Sequence, residues 1–287
     1  VIADRPAEGG DRETVAARAL YVYAVLPWPL ELPPDATGTG IDAAVLDVVD
    51  ADGGVAALVH ETTAGPYQGA DEDARRWVLE HSAVVERAWK VAGTALPVTF
   101  NVLVRGDDES TARDRLRGWL RDTAEELRAR LDALRDRVEL RVDITLDRVQ
   151  AAADDPEVRK LTAELNHKPA GVRRLLAKKL QMVERNAADT LADRIYPEYR
   201  RRLVSLVEDI SERHRGEREE GQVPVLAAAV LVHRARMEEL GAELARIQDE
   251  QPAARIRYLG PWPPYSFSEL TVETGPARRL GDEPDQK

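Results

Sequence analysis

Apolar positions along this chain recur every second residue in some stretches and every third or fourth in others, and the switches between the two periods mark out its elements. Ala19 to Leu26 (ALYVYAVL) is β-branched and aromatic and is closed by Pro27 and Pro29, which predicts a strand. A Pro/Gly/Thr loop follows from about Leu32 to Gly40. Val45 to Val49 and Val55 to Val59 are short apolar runs joined by Asp50-Ala51-Asp52-Gly53-Gly54, the pattern of a β-hairpin. From Asp71 to about Val91 the period becomes helical, with Trp77, Val78, His81, Val84, Val85 and Ala88 on one stripe. Ala95 to Val104 returns to strand character and stops at Arg105-Gly106-Asp107-Asp108. A long helix is predicted over Ser110 to Arg135, with Leu116, Leu120, Ala124, Leu127, Leu131 and Leu134 on its seam.

Val138 to Leu146 alternates without a fault. Val138, Leu140, Val142, Ile144 and Leu146 share one face, and Glu139, Arg141, Asp143 and Thr145 share the other, as in a half-exposed strand. Asp155-Pro156-Glu157 opens a helix with a capping carboxylate and a proline at the first helical position. Pro169 and Gly171 interrupt it. Val172, Leu176, Leu180 and Val183 then restart an apolar stripe that predicts helix to about His214, with a bend at Pro197. Gly221 to Val232 reads as a buried strand, Arg234 to Ile247 as a helix and Ala253 to Leu259 as the closing strand.

These elements predict an α+β protein of two domains, each a small, mostly antiparallel sheet with helices packed on one face. The expected division is a flexible leader over 1–18, an N-terminal domain over 19–136, a C-terminal domain with long helices over 137–270, and a flexible tail over 271–287. After the last strand comes GPWPPYSF, Gly260 to Phe267. Three prolines in four positions remove three backbone donors, so the strand is expected to end there. An extended, polyproline-like rope should follow, with Trp262 and Tyr265 on one side. Trp262, Pro264, Tyr265 and Phe267 can dock on the chain's own body. Pro261 and Pro264 also fit a P-x-x-P ligand for another protein.

Composition narrows the functions available. Of the 287 residues, 43% are hydrophobic but only 5% aromatic, so the cores must be built from Ala, Val and Leu. A formal charge of −11 argues against a nucleic-acid partner. There is no cysteine, which removes disulfides, thiol catalysis and thiolate metal sites and fits a cytoplasmic location. The longest apolar stretch, Val223 to Val232, is about half of a bilayer span, so no integral membrane segment is expected.

No constellation for catalysis stands out. Gly38-Thr39-Gly40-Ile41-Asp42-Ala43 matches a dinucleotide-binding fingerprint in letters, but it follows a proline-rich loop and precedes a strand. The five histidines lack metal-ligand spacing, and no cofactor or metal is expected. His81 reads as a partly buried, hydrogen-bonded histidine near an apolar stripe; the competing reading is an enzyme site assembled from scattered residues such as His81, Glu80 and Arg105. Arg173, Arg174, Lys178, Lys179 and Arg185 make the segment 172–185 basic. It is either an ordinary amphipathic helix or a surface for a membrane or an acidic partner.

Several of these segments together resemble the gas vesicle protein F/L family (GvpF/GvpL). They are the opening LYVYAVL strand, Gly54 to Val59, and His81 followed by Val84 and Val85. Leu96-Pro97-Val98-Thr99-Phe100, Gly171 with Leu175, Leu176 and Lys179, and the closing GPWPPYSF complete the set. Where the family carries Arg this chain has Thr99, and where it carries Gly and Thr it has Asn101 and Val102. The resemblance implies a non-enzymatic accessory protein of gas vesicle assembly, serving buoyancy. It further implies partners in the shell protein GvpA and other gas vesicle proteins, and a location at the gas vesicle. A shell monomer exposes apolar surface before it polymerises. The expected receptor is the N-terminal sheet, with Val22, Val25, Val55 and Leu58 at the contact.

Overall fold

The computed structural model describes residues 18–30, 38–63, 65–165, 167–213 and 219–268. The leader up to residue 17, the tail and His214 therefore lie outside the described residues. Strand β1 (Ala19–Pro27) is the centre of an antiparallel sheet ordered β2-β3-β1-β4. β2 (Leu46–Ala51) and β3 (Val55–Thr62) form the expected hairpin. The expected strand over 95–104 becomes two short pieces, β4 (Leu96–Pro97) and β5 (Leu103–Arg105), both paired with β1. Between them the backbone turns through Asn101 at φ 76°, a conformation that asparagine tolerates better than most residues.

The β1–β3 register shifts between Val22 and Ala24, which makes Tyr23 the extra residue of a bulge. The bulge sends Tyr23 and Ala24 to the same side. Tyr21, Tyr23 and Leu58 face helix α1 (Asp71–Ala92) and its Val84, Val85, Ala88 and Trp89. Leu20, Val22, Val25 and Val55 face α2 (Ala112–Asp122) and α3 (Ala124–Ala133) through Leu116, Leu120, Leu127 and Leu131. The first sheet is thus covered on both faces, where one was expected, because β1 is apolar on both. The single helix expected over 110–135 is broken at Thr123, whose hydroxyl donates to the Trp119 carbonyl at 2.7 Å.

The second antiparallel sheet is ordered β7-β8-β6-β9. β6 (Arg137–Asp147) lies between β8 (Gln222–His233) and β9 (Ala254–Trp262). Val138, Leu140, Val142, Ile144 and Leu146 are all buried, as the alternation predicts. Pro224 sits beside the register shift between Ile144 and Thr145, where a missing donor is tolerated. Helices α4 (Arg148–Ala152), α5 (Pro156–Leu165), α6 (Ala170–Val204) and α7 (Met237–Glu250) complete this half. α6 runs through Pro197 but ends ten residues before the expected point, and the chain enters β7 (Asp209–Glu212), which sequence reasoning missed. One apolar cluster takes residues from both sheets, including Tyr21 and Trp89 with Val142, Val230 and Leu244.

Candidate functional site

Tyr21 and Tyr23 carry polar tips into the core, and each meets a histidine. The Tyr21 hydroxyl lies 2.9 Å from His81 Nδ1, and His81 Nε2 lies 3.1 Å from the Val98 carbonyl. A carbonyl only accepts, so Nε2 carries the proton and Nδ1 accepts from Tyr21. Tyr21 accepts in turn from the Asn101 N–H at 3.0 Å. Tyr23 lies 2.8 Å from His60 Nδ1 and accepts from the Ile41 N–H at 2.9 Å. His60 Nε2 approaches the Tyr67 hydroxyl at 3.3 Å. The rings interleave: Tyr21 stacks on His60 at 4.9 Å and Tyr23 on His81 at 5.3 Å.

Burial sets the protonation of this group. It holds both tyrosine hydroxyls above the ordinary phenol range, lowers His60, and lowers His81 to about 4. The cluster is therefore neutral at pH 7. Its polar atoms are spent on one another, and His60 and His81 are 1% and 2% exposed, so it acts as a latch between β1, β3, α1 and the Asn101 turn. Glu80 does not join it: that carboxylate accepts from the Asp42 N–H and from Arg76 on the exposed side of α1. Arg105 stands at the end of β5. A groove of about 560 Å³ opens elsewhere, between α4, α5 and α6, with Asp154, Glu157, Thr190 and Arg194 among its walls. Among the described residues no three His, Asp or Glu side chains form a metal-binding group, and no helix is long and apolar enough to cross a membrane.

The structure places Val22, Val25, Val55 and Leu58 inside, each 2% exposed or less. The first three lie under α2 and α3 and Leu58 lies under α1, so the four do not form one accessible face. The β2 edge of the sheet carries exposed residues, Asp47 and Asp50, and three of its backbone groups are guarded. The Val48 N–H donates to Asp47 Oδ1 at 2.7 Å, the Val48 carbonyl accepts from Arg113, and the Asp50 carbonyl accepts from Arg117. Arg113 also pairs with Asp47.

The closing motif docks on the chain's own body. β9 passes through a bulge at Gly260 and continues as strand to Trp262, farther than the prolines suggested. Trp262 lies under the Arg141 guanidinium, 5.3 Å from ring centroid to carbon. Pro264 is buried, and residues 265–267 form a 3-10 turn rather than a rope. Tyr265 and Phe267 pack inward against different clusters, Phe267 against that of the first sheet. Trp262 and Tyr265 thus do not share a side. Burial pushes the Tyr265 hydroxyl up to about 12, with Ser82 of α1 opposing the shift. Glu139, 2% exposed, accepts from the Ser266 N–H at 2.7 Å and the Ser266 hydroxyl at 2.9 Å. Ser268 donates to the Pro97 carbonyl at 3.4 Å, which ties the motif to the first sheet.

The basic segment forms the first half of α6. None of its side chains from 171 to 187 is buried, and the first buried one after them is Ala188. Val172, Leu175 and Met182 are 46%, 73% and 58% exposed. Lys179 pairs with Glu157 at 3.2 Å. Arg173, Arg174, Lys178 and Arg185 have no carboxylate partner among the described residues.

Sequence reasoning singled out His81 but missed its partners. Tyr21 and Tyr23 at a spacing of two were the available signal, since two phenols on one face of a buried strand need polar company. Glu139 and Ser266 gave no local signal.

Comparison with known proteins agrees with this architecture. The family model described as "Gas vesicle synthesis protein GvpL/GvpF" matches residues 19–269. Gas vesicle protein L2 of Halobacterium salinarum is 31% identical over 269 residues, covering 86% of this chain and 90% of that protein. Gas vesicle protein L of Streptomyces sp. is 29% identical, covering 89% and 95%. The crystal structure of GvpF from Anabaena sp. PCC7120 superposes with a TM-score of 0.63 at 21% identity, covering 89% of this chain and 98% of that one. GvpF from Microcystis aeruginosa gives 0.59 at 18%, covering 88% and 99%. At these identities the two crystal structures speak to fold alone.

Proposed function

The chain belongs to the gas vesicle synthesis GvpL/GvpF family, and from that premise we propose that it is an accessory protein of shell assembly. In this reading it binds the shell protein GvpA and other gas vesicle proteins in the cytoplasm and supports nucleation or growth of the shell. The observation that carries the reading is the family match, which spans both sheets and the closing motif. The physical reason is solubility. A shell monomer carries apolar surface that only the finished shell buries, and a protein of net charge −11 that covers this surface delays aggregation. In this role Val22, Val25, Val55 and Leu58 supply a rigid platform for the contact rather than the contact itself.

The test is co-expression of the full chain, tagged, with GvpA. GvpA is expected to co-elute with the tagged chain and to stay in the soluble fraction. GvpA that sediments equally with and without this chain, and never co-elutes, overturns the reading.

The exposed strip on α6 favours a second reading, a module that binds an anionic membrane or vesicle surface through the basic helix 172–185. Val172, Leu175 and Met182, beside four cations without a carboxylate partner among the described residues, have the composition of an interfacial helix, with roughly 1 kcal/mol per cation near an anionic surface. Sedimentation with vesicles of mixed neutral and anionic lipid at low salt separates the two. No pelleting there dismisses the second reading.

A further inference from the structure

The edges of the two sheets are not treated alike. At β2 three outward groups, the Val48 N–H and the Val48 and Asp50 carbonyls, are occupied by Asp47, Arg113 and Arg117. At β7, which is four residues long, the outward Ile210 N–H donates to Asp209 Oδ1 at 2.7 Å. The same device recurs: an aspartate on an edge strand takes the amide of the next residue. An edge closed in this way cannot pair with another strand without first breaking those bonds.

β9 is nine residues long and lacks this device beyond its first residue. The Asp147 N–H donates to the Ala253 carbonyl at 2.8 Å, so residues of that parity, Arg255 and Arg257, turn their backbone groups toward β6. Ala254, Ile256 and Tyr258 turn theirs outward. The Ala254 carbonyl accepts from Gln248. For the N–H and C=O groups of Ile256 and Tyr258, no partner is present among the described residues, and β9 pairs with β6 alone.

Chemistry flanks this opening on both sides. On the face covered by α7 lie the half-buried side chains of Ile256 and Tyr258. On the opposite face lie Arg255 and Arg257. Arg257 and Arg213 share the single carboxylate of Asp143, at 2.9 and 3.0 Å, and Arg255 has no carboxylate partner among the described residues. That face therefore has guanidinium charge to spare.

We propose that the outer edge of β9 at Ile256 and Tyr258 accepts an added strand from a partner polypeptide whose side chains alternate between apolar and acidic. Apolar side chains extend the row of Ile256 and Tyr258, and acidic ones extend the row of Arg255 and Arg257. The inference rests on the reading that this chain works by binding another polypeptide. Its test uses a synthetic probe, so it can fail while the GvpA reading stands, and the reverse.

The probe is an eight-residue peptide of alternating Val and Glu, added to the full chain, with backbone amide exchange read residue by residue. The amides of Ile256 and Tyr258 are expected to exchange at least tenfold more slowly with the peptide, while those of Arg255 and Arg257 stay as they were. A peptide with Lys in place of Glu is expected to protect neither. Arg255→Glu with Arg257→Glu is expected to reverse that preference. Unchanged exchange at millimolar Val–Glu peptide overturns the proposal. So does strong protection of both amides in the free protein, which means a second copy or another segment of this chain already occupies the edge. Equal protection by both peptides overturns the charge rule.

Discussion

Ser266 gives both its amide and its hydroxyl to the buried carboxylate of Glu139, across 127 residues of sequence. The contact fixes the closing motif on β6, and the next residues reach the first sheet through Phe267 and Ser268. The closing motif is therefore a clasp between the two sheets, and its aromatics are spent on the protein itself. Ser266→Ala removes one of the two bonds and leaves Glu139 under-satisfied in a dry place. It is expected to cost about 1–2 kcal/mol in urea unfolding.

Gly260 makes the clasp's approach possible. Its φ is 126°, and a Cβ there would stand 2.8 Å from Leu140 Cδ2 and 2.9 Å from the Glu139 carbonyl. Gly260→Ala combines backbone strain with a clash against main chain that cannot move aside. The expected loss is roughly 2–3 kcal/mol, read as a lowered denaturation midpoint with unchanged slope.

The Tyr–His latch predicts acid sensitivity. Burial lowers His81 to about 4 in the folded protein, while the unfolded chain titrates near the ordinary value of 6.5. The unfolded state therefore binds more protons between these values. The latch's contribution is whole above about pH 6.5 and falls away as pH drops toward 4, by about 3 kcal/mol at most. Unfolding free energies measured at pH 7.5 and 4.5 should show the drop, and His81→Phe should shrink it. An equal drop in that variant would place the acid sensitivity elsewhere.

Asn101 stands where the resembling family carries Gly. At φ 76° its side chain also accepts from the Tyr67 N–H at 2.7 Å and donates to the Tyr67 carbonyl at 3.0 Å. Asn101→Ala loses both bonds and strains the backbone. Asn101→Gly loses the bonds but relieves the backbone. Thermal unfolding should rank native above Gly and Gly above Ala, with about 1 kcal/mol or more between the last two.

Periodicity by itself determined the strands β1, β3, β6 and β8, the helices α1 and α7, and the α+β class. Burial of an apolar face is a property of each segment and is written in its own residues. The order of motifs also carried the family. Three things were decided only by the tertiary structure. The pairing of β1 with α1 and β3 brought two phenols to two histidines, and no local signal reports partners 60 and 37 residues away. A second helical layer over β1 placed Val22, Val25 and Val55 inside, although the same strand on its own reads as a receptor. Glu139 sat on the polar face of a perfectly alternating strand and was nonetheless buried, because a turn from the far end of the chain closed over it. Each of these depends on what a segment meets after folding, and that partner is chosen by packing over the whole molecule.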